Sequence, residues 1–259
     1  MGTILYNGDS FTYGDELDDT MVGSPRMHTY AHKLSNQLQS RYVNLAQNGS
    51  SNQKIYRTTN NFLQVTQRPI SLVVITWSNF GRFELCEDFQ LDGDKEINIG
   101  RESDMNQIIV SHASENFRYE NKDSSADKKR QRILKEYCEN VWTMQTAVLH
   151  TVSYMNNIQF LCDQMGIGVI QSVIHPHMWS NILHLMKQEG YPDFKKNVAQ
   201  GLKRLRAECR IGLGGDYSTI YSISEKMGTL KPRGHACEEA HSIFAEQLYN
   251  IIQEYNVSN

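Results

Sequence analysis

The stretch Thr3-Ile4-Leu5-Tyr6-Asn7-Gly8-Asp9-Ser10-Phe11-Thr12-Tyr13-Gly14 carries a short, largely apolar run straight into a glycine-bounded turn with a serine inside it. A run of this length and character suits a strand buried on both faces of a parallel sheet. Three later runs match it, at 42–45, 71–76 and 168–174. Between them, 25–38 (apolar at Met27, Tyr30, Ala31, Leu34 and Leu38) and 52–65 have helical spacing, and Pro25 suits a first helical turn. The alternation predicts a repeating βαβα unit, hence an α/β fold with a parallel sheet and crossover helices. Ligand sites in such sheets gather at the carboxyl ends of the strands, so the residues that follow each strand are the ones to weigh.

Regularity stops after the third strand. Residues 83–98 hold two extended runs around Leu91-Asp92-Gly93-Asp94, and Asp-Gly is a hairpin signal. The polar stretch that follows reads as a loop or lid, so an insertion is expected over about 83–127 of a single domain spanning 1–259. A helical pattern then runs from Leu134 through Val148 and Ile158 to Met165-Gly166. At 1.5 Å per residue it would reach about 55 Å, so it is either broken once or extends into a subunit contact in a homo-oligomer. Residues 193–210 read as another helix, and 238–255 as a closing amphipathic one with Ala240, Ile243, Phe244, Leu248 and Ile251 on one face.

With 259 residues, 39% hydrophobic and 21% charged, the chain falls among ordinary globular proteins. Its five cysteines, 86, 138, 162, 209 and 237, form no CxxC pair, which excludes a zinc ribbon and suits free thiols in a reducing compartment. The first ten residues lack a basic and then apolar leader pattern, and no stretch is apolar for long enough to span a bilayer, so a cytoplasmic protein without a membrane partner is expected. A formal charge of −3 gives no general attraction to nucleic acid. The basic clusters at 128–132 and 195–210 lack interleaved aromatic side chains and read as solvated helix faces.

Four places can carry chemistry. Ser10 stands at a strand-to-helix turn, where a base could activate its hydroxyl and backbone N–H groups could hold an oxyanion, although Asp9 or Ser10 could simply cap the next helix. Gly49 and Ser50 follow the second strand, where a backbone N–H could face a ligand. The third strand runs into Trp77-Ser78-Asn79-Phe80-Gly81-Arg82, which offers an amide donor at the same sheet edge. His235 precedes the last helix, a suitable position for a base.

These places together resemble the SGNH (GDSL-type) hydrolases, a family of esterases, lipases, carbohydrate acetylesterases and thioesterases. Gly8-Asp9-Ser10 with Thr12 and Gly14 matches the nucleophile block, Gly49 the glycine block, Asn79 the amide of the third block, and His235 the final one. The resemblance implies a three-layer α/β/α sandwich on a flavodoxin-like sheet. It also implies acyl transfer through Ser10, with His235 as base and with the N–H groups of Ser10 and Gly49 and the Asn79 amide around the oxyanion. No cofactor is implied, and the partner is a small-molecule acyl ester.

One departure stands out, because the family's triad acid lies three residues before the His, sometimes two, and here those positions are Pro232 and Arg233. Three outcomes remain open: a Ser10–His235 dyad oriented by a backbone carbonyl, an acid from elsewhere such as Asp216 or Glu238, or a non-catalytic binding module. His175 and His177 follow the fourth strand; a H-x-H pair can bind metal, but no third ligand is identifiable, so substrate contact or a structural role is the better reading. Trp77 and Arg82 are expected to line the pocket, Arg82 being able to pair with a carboxylate or phosphate. Asp9 and Ser78 are grouped with them around the substrate.

Overall fold

A computed structural model describes residues 2–17, 27–83, 136, 140–214 and 217–255. Four strands form one sheet: β1 (Thr3–Asn7), β2 (Arg41–Asn44), β3 (Ile70–Trp77) and β4 (Gly168–Val173), in the order β2-β1-β3-β4 with every pair parallel. Each lies within a residue of its expected place. Ile211 bridges Ser172 in parallel beyond β4, the rudiment of a fifth position. Leu5, Val73 and Ile75 are fully buried, as central parallel strands covered on both faces must be.

The helices are α1 (Ser10–Tyr13), α2 (Tyr30–Gln37), α3 (Asn52–Val65), α4 (Met144–Met165), α5 (His177–Lys187), α6 (Pro192–Arg204), α7 (Ile220–Lys226) and α8 (Glu238–Tyr255). The chain moves from β1 to β2 in one direction across the sheet and from β2 through β3 to β4 in the other. Right-handed crossovers therefore put α2 on one face and α3 and α4 on the other. The contacts agree: α2 packs on α8 and α8 on α7, while α3 packs on α4 and α4 on α6. This is the three-layer α/β/α sandwich with flavodoxin-like strand order. The order reverses between β1 and β3, and the crevice above that reversal is where such sheets place a site.

Several expectations are corrected. The helix expected over 25–38 begins at Tyr30, because Thr29 caps it by accepting from the His32 N–H; Pro25 lies outside the described residues. The long helical pattern takes the first of its two expected forms, a break: α4 starts only after Thr143, whose side chain accepts from the Thr146 N–H. The helix expected over 193–210 stops at Arg204, where Leu205 turns extended, and a short 3-10 turn follows at Ala207–Cys209. Helices α5 and α7 were not foreseen. The expected hairpin and lid lie outside the described residues apart from Phe83, which is buried against Trp142. Among the described residues no helix is long and apolar enough to cross a membrane, and Cys162, Cys209 and Cys237 are free thiols.

Candidate active site

The turn that carries Ser10 is built by side-chain hydrogen bonds. Asn7, the last residue of β1, donates from Nδ2 to the Ile55 carbonyl and to the hydroxyls of Thr58 and Thr59, and its Oδ1 accepts from the Gly8 N–H. That ties the end of β1 to α3. Asp9 then caps α1, with Oδ1 accepting from the Phe11 N–H at 3.1 Å, and Ser10 becomes the first helical residue. Its own N–H has no acceptor inside the helix, as at any helix start. Gly14 closes the turn at φ 84, its N–H donating to the Ser10 carbonyl. Asp9 is thus the helix cap, and Ser10 stands at the strand-to-helix turn.

Around this turn the third strand is held just as firmly. Asn52, the first residue of α3, accepts the Ser78 N–H at 2.7 Å and donates to the Ser78 carbonyl at 2.9 Å. The clamp leaves Asn79 exposed at the strand end; its Oδ1 accepts from the Gly81 N–H, and its Nδ2 makes no hydrogen bond among the described residues. Gly49 lies in the loop between β2 and α3 at φ 73, a backbone region that favours glycine, in a turn closed by the Ser50 N–H on the Gln47 carbonyl.

His235 holds the sharpest geometry. Its Nδ1 lies 2.6 Å from Glu16 Oε2, and the Arg233 N–H donates to both Glu16 oxygens at 3.2 Å. Burial works against the ionised carboxyl of Glu16, yet the bonds from His235 and from the Arg233 backbone outweigh it and hold the group below the ordinary carboxylate value. A carboxylate accepts only, so Nδ1 carries a proton, which in the neutral ring leaves the lone pair on Nε2. Asp15 Oδ2 lies 3.8 Å from Nε2, and the His235 ring centroid is 5.3 Å from that of Phe11, the residue after Ser10. No hydrogen bond joins Ser10 Oγ to His235 among the described residues.

The partner of His235 was not found by sequence reasoning. Neither a backbone carbonyl nor Glu238 meets Nδ1: Glu238 is bound to His28 at 2.6 Å and Lys33 at 3.0 Å, and Asp216 lies outside the described residues. The Asp15-Glu16 pair just after Gly14 was visible, but nothing in linear order relates Glu16 to a residue 219 positions away.

The residues grouped around substrate divide. Trp77 does not line a pocket: it is still in β3, fully buried, and its indole N–H donates to Gln171 Oε1. Asp9 and Ser78 are also fully buried and bound to each other, Ser78 Oγ donating to Asp9 Oδ2 at 2.9 Å. Arg82 remains partly exposed, with Nη1 donating to Asp9 and Ser78. His175 is half-buried against Tyr221, with ring centroids 3.8 Å apart, and its Nδ1 has no hydrogen-bond partner among the described residues; burial pushes its pKa down to about 4. His177 is exposed at the start of α5. Among the described residues no three His, Cys, Asp or Glu side chains gather in a group that could hold a metal ion.

No protein-family model and no curated protein sequence matches the chain. Among solved structures, TesA is similar over 97% of this chain and 98% of its own, at 11% identity and a TM-score of 0.48. The psychrotrophic esterase EstA from Pseudoalteromonas sp. is similar over 98% of both chains, at 12% identity and 0.43. A member of the lipolytic protein G-D-S-L family from Veillonella parvula covers 97% of this chain and 98% of its own, at 12% identity and 0.44. Similarity this distant transfers neither a substrate nor a site residue.

Proposed function

We propose that the protein is a serine hydrolase that cleaves a carboxylic ester by acyl transfer through Ser10, with His235 as general base and Glu16 as the acid that orients it. The observation that carries this reading is the 2.6 Å contact between Glu16 Oε2 and His235 Nδ1, because it places the imidazole lone pair on Nε2. In the first half-reaction Ser10 Oγ attacks the ester carbonyl carbon while Nε2 takes the hydroxyl proton. The resulting oxyanion accepts from the N–H groups of Ser10 and Gly49 and from Asn79 Nδ2, donors of a kind worth roughly 3–4 kcal/mol each. Collapse breaks the bond to the alcohol, which leaves with the proton from Nε2. Water, deprotonated by the same nitrogen, then releases the acid and restores the hydroxyl. Glu16 keeps Nδ1–H in place and balances the transient imidazolium charge without taking the proton.

Proton transfer needs Ser10 Oγ and Nε2 within about 3.2 Å or bridged by one water, a geometry that often tightens only when substrate binds. The polar character of the 99–127 stretch favours a short acyl group on a small polar acceptor over a lipid. One observation favours the second reading, a non-catalytic binding module: the missing Ser10–His235 hydrogen bond. A fluorophosphonate probe and a short p-nitrophenyl ester separate the two. Labelling and turnover that disappear in Ser10→Ala are expected; a folded wild-type protein that neither labels nor turns over would establish the module.

A further inference from the structure

Arg82 lies in the loop that carries Asn79, and its pairing is incomplete in an informative way. Nη1 alone donates to Asp9 Oδ2 and to Ser78 Oγ, both at 2.8 Å. A guanidinium whose task was only to neutralise Asp9 would do so best through two parallel N–H bonds. Here one terminal nitrogen serves both partners. The remaining edge, Nε–H beside Nη2–H, has no acceptor among the described residues, and the side chain is 26% exposed while Asp9 is fully buried. Asp9 is committed elsewhere, since Oδ1 holds the Phe11 N–H and Oδ2 already accepts from Ser78 and Arg82. The cation is therefore locked in position by buried partners, with a planar two-donor edge left over.

The carboxylate that anchors it belongs to Asp9, the residue before Ser10. The charges of both Asp9 and Arg82 reach His175 at the end of β4, whose own pKa is pushed down to about 4, chiefly by burial. At neutral pH that ring is uncharged and neither repels nor neutralises an incoming anion. The free edge of a guanidinium matches a carboxylate in spacing and plane, which an ammonium cannot do.

We infer that Arg82 is a specificity residue that binds a carboxylate of the substrate on its Nε/Nη2 edge, so that the ester cleaved at Ser10 carries a second, ionised carboxyl group. The word ester here rests on the hydrolase reading; the carboxylate subsite does not. The second carboxyl can belong to the acyl part or to the alcohol, and paired substrates tell these apart. For the acyl side, mono-p-nitrophenyl glutarate is compared with p-nitrophenyl valerate. For the alcohol side, 4-acetoxybenzoate is compared with its methyl ester.

The acid member of one pair is expected to show a kcat/KM at least about 10-fold above its neutral twin, a ratio that collapses in Arg82→Lys. That variant keeps a cation on Asp9, so a buried charge is not stranded. Ratios near one in both pairs, or a preference that survives Arg82→Lys, overturn the inference. Glutarate binding by isothermal titration gives a readout free of catalysis: the Kd is expected to rise at least about 10-fold in Arg82→Lys, and equal or undetectable binding in both proteins also overturns it. Arg82-dependent binding of glutarate by a protein that does not label with fluorophosphonate would retain the subsite and discard the hydrolase.

Discussion

Glu16 has φ 64, a left-handed conformation that costs a residue with a Cβ roughly 1–2 kcal/mol. Strain of this kind persists where surrounding contacts over-determine it, and here the Glu16 carboxylate is held by the His235 ring and the Arg233 backbone. Glu16→Gln preserves size and conformational preference but removes the charge and lets the amide donate to Nδ1, which favours the wrong imidazole tautomer. Its kcat on a short p-nitrophenyl ester is expected to fall on the order of 100- to 10,000-fold with an unchanged far-UV circular dichroism spectrum. A rate within threefold of wild type would remove Glu16 from the mechanism. Ser10 and His235 could be singled out as candidates in the sequence because a serine beside a glycine turn and a histidine before a helix are local patterns. The carboxylate that meets His235 could not, because it needs only to arrive, from any point in the chain. Trp77 was misjudged for a smaller reason: β3 continues one residue beyond its expected end, which turns the indole into the core.

The turn from β1 into α1 depends on close approach. A Cβ added at Gly8 would fall on Thr12 Oγ1 and lie 3.0 Å from the Thr76 carbonyl oxygen, so this glycine is required by crowding. Thr12 cannot simply swing away, since its hydroxyl is 2.9 Å from Tyr30 OH, which is itself 2.9 Å from Thr76 Oγ1; Ser172 Oγ donates to the same Thr76 oxygen. These four hydroxyls link α1, α2, β3 and β4. Gly8→Ala is expected to cost about 1–3 kcal/mol in urea unfolding, the usual penalty for overpacking a tight site. Adding Thr12→Ala should recover part of it, because the clash is with that side chain. Simple additivity of the two losses would show that crowding is not the cause. Helix ends were the least legible feature: the periodicity of 134–165 continues across Thr143, but a threonine side chain that captures the Thr146 N–H starts a new helix there.

Packing of the two outer layers on the sheet also fixes how the protein responds to acid. His241 on α8 is buried, its Nδ1 accepts the Tyr30 N–H at 3.0 Å, and its ring stacks on Tyr30. Burial, helped by the charge of Lys33, pushes its pKa from 6.5 down to about 3. Between those values the unfolded chain binds a proton that the folded one refuses. Stability is therefore complete above about pH 6.5 and is lost as the pH falls towards 3, by at most ~1.4 kcal/mol per pH unit from this group. Urea midpoints at pH 7.5 and 5.0 should diverge less in His241→Gln than in wild type; equal divergence would assign the acid sensitivity to other groups, His175 among them. The strands and the places of Ser10, Gly49 and Asn79 after them could be read from the order of residues, because hydrophobic periodicity and turn chemistry act over neighbouring positions. Which carboxylate meets His235, which edge of Arg82 stays free and which aromatic ring is buried were settled only by packing. Each depends on side chains brought together from distant parts of the chain, and no periodic pattern encodes those distances.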